Sequence, residues 1–149
     1  MLSAGALALA AAPTLFTSGT TISASVMNAN FSGVDTRITA LETVPAFQAP
    51  VFLTQWVDVG GQWATAGYTK DAMGFVHFRG LIKRMTGTGA TIFTLPVGYR
   101  PAAVLQFPAR CGDDTMCYIH VNPNGNVDFG GAGSPAGSLT LDGIVFDLR

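Results

Sequence analysis

The sequence predicts a mainly β protein: an antiparallel, jelly-roll-like β-sandwich preceded by a short α-helical trimeric coiled coil. Three observations carry that reading. Of the 18 glycines, 15 fall after Pro45, among short alternating apolar runs. Between residues 21 and 44 the apolar residues instead recur at spacings of 4, 3, 4 and 3. Charged residues make up only 11% of the 149, while 48% are hydrophobic and the formal net charge is −1. An ordinary soluble domain is roughly 25% charged, so a surface this poor in charge suits a chain partly covered by its own copies.

That balance excludes several classes. A nucleic-acid binder would show a basic stripe, and 8 Lys+Arg against 9 Asp+Glu leave none. A charge-driven disordered tail is excluded by the apolar content. No membrane span is expected, because the longest apolar run, residues 1–13, is shorter than the roughly 20 residues a spanning helix needs. That run lacks the basic start of a signal peptide, the first charge being Asp35. Residues 1–20 therefore read as an uncharged, small-residue N-terminal arm that docks on another protein.

Residues 21–44 read as the coiled-coil helix. Met27, Phe31, Val34, Ile38 and Leu41 form a heptad seam, with Phe31 and Ile38 at a and the others at d. Arg37 then falls at g and Glu42 at the following e, positions that meet between chains in a parallel coil. Arg37-Ile-Thr-Ala-Leu-Glu42 also matches the Arg-h-x-x-h-Glu pattern of short parallel trimeric coils. Gly33 and the threonines are poor helix formers, and the sequence offers no second helix to cover the seam. Residues 45–50, with a proline at each end, read as an extended linker.

From Val51 to Arg149 the chain reads as the β head. Strands are predicted at 51–59, 62–68, 74–84, 90–95, 103–110, 116–121, 126–129 and 138–148. In the strand at 74–84, Val76, Phe78 and Ile82 alternate with His77, Arg79 and Lys83. Asn122-Pro-Asn-Gly125 is a turn between two strands. Cys111 and Cys117 flank another turn; their spacing permits a bridge, and assembly in a cytosol favours two reduced thiols.

Chemistry finds little support in the residues. His77 and His120 stand apart, with no His-x-His, and the cysteines form no CxxC pair, so no metal site or cofactor is expected. Asp113-Asp114, an acidic pair, sits in a turn that favours Asp for backbone reasons. Paired catalytic carboxylates and a Gly-x-Ser-x-Gly elbow are both missing. No catalytic residue is assigned, and the chain reads as a non-enzyme. Trp56 and Trp63 read as core or interface anchors ahead of a sugar-stacking platform.

One stretch adds a resemblance. Phe93-Thr-Leu-Pro-Val-Gly-Tyr-Arg-Pro101, following Gly74-Phe-Val-His-Phe-Arg-Gly80, resembles the C-terminal domains of bacteriophage tail fibres and related receptor-binding proteins. Ile119/Val121, the Gly125 turn, Val127/Phe129 and Leu141-Asp-Gly-Ile-Val-Phe146 continue the similarity, which covers roughly residues 20–149. The resemblance implies a homotrimeric virion protein, assembled in the host cytoplasm and held by its N-terminus to another virion protein. A host-surface glycan or protein would be its distal partner; a head decoration fibre or spike with a purely structural role is the alternative. Because successive antiparallel strands reverse direction, the loops 60–61, 86–89, 111–115 and 130–137 are expected at the distal end. Arg84, Arg110, Asp113 and Asp114 are then the candidate receptor contacts. Loops 69–73, 96–102 and 122–125 are expected beside the coil.

Overall fold

The computed structural model describes residues 12–43, 45–53, 55–86, 89–112, 115–131 and 137–149. The chain divides into two compact units, residues 1–44 and 45–149. Asp113 and Asp114, and residues 1–11 of the arm, lie outside the described residues.

In the first unit, helix α1 spans Ala24–Glu42, slightly inside the predicted 21–44. Ser23 caps its start, its Oγ accepting from the Val26 amide and so satisfying one of the helix's free donors. At the other end the Thr43 amide donates to Thr39 O, and the chain then turns extended. Thr36 Oγ1 donates back to Ser32 O at 2.8 Å, which accommodates a poor helix former in mid-helix. None of the helix side chains is buried: Phe31 is 66% exposed and Leu41 64%. The arm before it is exposed from residue 12 to 20, yet it is pinned at one point. The Asn30 side-chain amide accepts from Thr14 N at 2.9 Å and donates to Thr14 O at 3.0 Å, as a neighbouring strand would.

The second unit is mainly β, built of antiparallel sheets. Its strands are β1 (Trp56–Asp58), β2 (Gly67–Lys70), β3 (Val76–Arg79), β4 (Leu81–Arg84), β5 (Thr91–Thr94), β6 (Leu105–Arg110), β7 (Met116–Val121), β8 (Asn126–Gly130), β9 (Leu139–Thr140) and β10 (Val145–Phe146). They form sheets ordered β1-β4-β9, β10-β3-β2 and β5-β8-β7-β6. Strand β7 shows the alternation that places a half-buried strand: Cys117, Ile119 and Val121 are buried, Met116 and Tyr118 exposed. Pro108 is tolerated in β6 because that strand is an edge, bonded only to β7. The core lies between sheets, where Phe78 meets Phe93 at 5.7 Å and Phe107 meets Phe146 at 6.1 Å.

Several predicted strands are broken where segments distant in sequence meet. The predicted strand 74–84 divides at Gly80 into β3 and β4, which belong to different sheets. Gly80 has φ +108°, and a Cβ there would stand 2.5 Å from Ala66 Cα. Burial still alternates across the break, since Val76, Phe78 and Ile82 are all buried. Predicted strand 138–148 divides likewise at Asp142-Gly143 into β9 and β10. The two breaks brace each other: Gly80 N donates to Asp142 Oδ1 at 2.7 Å, and Leu141 N donates to Gly80 O at 2.9 Å.

The predicted pair 51–59 and 62–68 is corrected in the same way. Phe52 bridges to Phe93, whereas only 56–58 pairs with β4. After Gly60 and Gly61, both at positive φ, the chain reaches β2, which pairs with β3 instead of β1. Asp58 Oδ1 holds that crossing by accepting from Ala66 N at 2.6 Å. The cysteine expectation is also corrected: Cys111 and Cys117 are bonded as a disulfide. They close the turn between β6 and β7, where the strand register pairs Arg110 with Met116 and so brings the two sulfurs together.

Gly80→Ala should cost upward of about 2 kcal/mol, from backbone strain plus overpacking. Gly61→Ala, where a methyl meets open space, should lose only the roughly 1–2 kcal/mol of its positive φ. Urea midpoints of the two variants check the order; equal losses would refute a packed corner at Gly80.

Candidate functional site

The loops of the β unit gather into two groups. Thr69 Oγ1 donates to Pro45 O at 3.4 Å, and Gln48 exchanges two backbone hydrogen bonds with Tyr68. Lys70 Nζ donates to Gly98 O at 2.9 Å, and Gln48 Nε2 to Tyr99 Oη at 2.6 Å. Leu95 N donates to Gly125 O at 2.8 Å. Residues 45–48 are therefore bonded by β2 and by loop 96–102, and loop 122–125 joins the start of that loop at Leu95.

The second group centres on a groove of about 370 Å³ lined by Trp63, Leu81, Arg110, Cys111, Gly112, Ser138, Thr140 and Asp142. Main-chain packing draws its walls together: a Cβ on Gly112 would stand 2.6 Å from Ser138 N and 2.8 Å from Gly137 Cα. An isolated bridge joins Cys111 to Leu139. Asp142 is fixed by Gly80 N on its Oδ1 and by its own amide, which donates to Thr140 Oγ1 at 3.2 Å. Trp63 is 53% exposed, held where its amide donates to Gly60 O.

Among the described residues, one of the four sequence-predicted contacts lines this groove. Arg110 lines the groove, and Asp113 and Asp114 follow it in the chain. Arg84 is placed otherwise: its guanidinium lies over the rings of Trp56 and Phe129, at 5.8 and 5.4 Å. The expectation that loops 60–61 and 86–89 share an end is corrected. Pairing of Trp56 with Arg84 and of Asp58 with Ile82 sends the two loops out at opposite ends of β1–β4. The tryptophans also separate, since Trp56 is 2% exposed and packs in the core, while Trp63 is half in solvent. Thr140 and Asp142 were missed because they sit inside what reads as one continuous strand.

A second polar cluster closes the β2–β3 turn. Asp71 Oδ1 accepts from the Met73 and Phe75 amides, each at 2.9 Å, and Oδ2 lies 2.8 Å from His77 Nε2. Desolvation pushes the carboxyl up, but the His77 contact and the two amides outweigh it and hold Asp71 below the ordinary value of 3.8. His77 has Asp71 as its side-chain partner and, among the described residues, no nucleophile bonded to it. No group of three or more metal-ligating side chains occurs among the described residues.

No family model and no curated protein matches this chain. Among solved structures it is similar to the receptor binding protein (gp15) of Listeria phage PSA, with a TM-score of 0.62 over 87% of this chain and 80% of that one. At 19% identity the likeness shows a shared fold.

A carboxylate whose folded pKa is depressed stabilises the fold above its unfolded value, and the benefit is lost as pH falls through the folded value. Asp71→Asn should therefore lower the melting temperature at pH 7. The deficit should begin to shrink near the ordinary value of 3.8 and close below it. Melting curves from pH 7 to 2 check this; a deficit constant with pH would show that the charge of Asp71 contributes nothing.

Proposed function

We propose that this chain is a structural protein of a phage virion: a short homotrimeric fibre, anchored through residues 1–20, whose β unit binds a host-surface receptor. The observation that carries the reading is a fold shared with a phage receptor binding protein over most of both chains. In this reading the β unit is a jelly-roll-like sandwich, supported by the aromatic contacts between its sheets. Host contact falls to the loop that carries Arg110, Asp113 and Asp114, and not to Arg84, which packs over Trp56 and Phe129. The role is non-enzymatic and needs no cofactor, and the site of action is the virion, assembled in the host cytoplasm. Among the described residues no helix is long and apolar enough to cross a membrane.

The trimer is supported by the helix itself. Phe31, Val34, Ile38 and Leu41 are exposed along α1. Met27 completes the seam, and Arg37 and Glu42 have no ion-pair partner among the described residues. Two further copies of α1 would cover the seam and pair those charges.

Light scattering on the purified chain should give three times the mass of 15.5 kDa. Ile38→Asp should dissociate the trimer, because it buries a charge in an apolar seam. Arg37→Ala should weaken it by only about 0.2–1 kcal/mol. A monomer at micromolar concentration would refute the trimer. Deleting residues 1–20 should leave a soluble trimer that no longer enters particles; a truncated chain that still enters them would refute the anchor. Purified wild-type protein should adsorb to susceptible cells, and absent adsorption would favour the purely structural role.

A further inference from the structure

We infer that the groove between Trp63 and Asp142 is a saccharide-binding site, taking one or two neutral sugar units of a bacterial surface polysaccharide. The inference rests on the receptor-binding reading and assigns that reading a site and a ligand class.

Trp63 is half exposed at the groove, in a protein whose other tryptophan is buried. An indole face carries negative π charge, and one face of a pyranose ring presents C–H groups of opposite polarity, so the two stack. The same groove is lined by Asp142, Arg110, Ser138 and Thr140, which bring a carboxylate, a guanidinium and two hydroxyls. The carboxylate only accepts, the guanidinium only donates, and the hydroxyls do both. Vicinal sugar hydroxyls, each both donor and acceptor, match that mixture.

Opposite charges line the same groove, which favours an uncharged ligand over a phosphate or an acidic sugar. The volume, about 370 Å³, stands at the low end of the roughly 300–1,000 Å³ of small-molecule sites. A short saccharide fits that space, whereas a peptide strand would want a longer trough with apolar pockets. The site is also preformed. Asp142 Oδ1 is held by Gly80 N, which leaves Oδ2 without a partner among the described residues. Binding then pays little ordering entropy at that side chain.

The test uses the full chain, bacterial cells of a susceptible strain, and an array of purified cell-wall polysaccharides. Wild type should bind cells and at least one polysaccharide, and Trp63→Ala should lower both at least tenfold with its melting temperature unchanged. Mild periodate, which cleaves vicinal diols, should abolish adsorption, and protease treatment of the cells should not. The groove also has a check that needs no variant. Acrylamide quenches the exposed Trp63 and spares buried Trp56, so a bound polysaccharide should reduce quenching of the wild-type protein. Undiminished binding by Trp63→Ala, or quenching unchanged by ligand, overturns the groove and leaves receptor binding standing. Adsorption that resists periodate and is lost to protease overturns the saccharide class alone. A wild-type chain that binds neither cells nor polysaccharides overturns both.

Discussion

One hydrogen bond organises the β unit: the Gly80 amide donating to Asp142 Oδ1 at 2.7 Å. Two strands that would otherwise run straight turn there together, and a third crossing, from β1 to β2, packs its Ala66 backbone into the space that a side chain at Gly80 would fill. The bent strands can then serve two sheets each, closing around one core instead of extending as a flat ribbon. Buried main-chain groups need partners wherever a strand leaves its ladder. Here Asp58, Asp142 and the Ala64 and Gly80 carbonyls supply them.

Much of this was legible in the sequence. Alternation on residues 116–121 marks the buried face of β7, and the 4-3-4-3 spacing marks an apolar stripe along α1, of which Phe31, Val34, Ile38 and Leu41 are exposed. Counting strand reversals failed at the first pair, because β1 bonds to β4 and β2 to β3. The breaks at Gly80 and Asp142 were not legible, because burial alternates unbroken through Gly80 and nothing local says that Ala66 passes behind it. Such a bend is a property of three segments distant in sequence. For the same reason Thr140 and Asp142 read as strand positions and not as the wall of a groove.

The cysteines and tryptophans make a similar point about partners. Two thiols six positions apart are compatible with a bridge or with none, and the β6–β7 register decides for the bridge by pairing Arg110 with Met116. Trp56 and Trp63 are seven residues apart and chemically identical, yet one packs against Phe129 at 6.0 Å and the other faces solvent. A turn of two glycines at positive φ stands between them.

Gly112 and Gly137 approach one another through main-chain atoms, and that contact has a consequence for how such a surface can diversify. Loops on a rigid scaffold tolerate insertion and substitution far better than the strands they join, and the entropy of a longer loop rises only slowly with its length. Because the two walls meet through main-chain atoms of Gly112 and Gly137, that contact itself needs no side chain. Substitution beside that contact is thus open to such a surface, while the bend at Gly80 is closed to it.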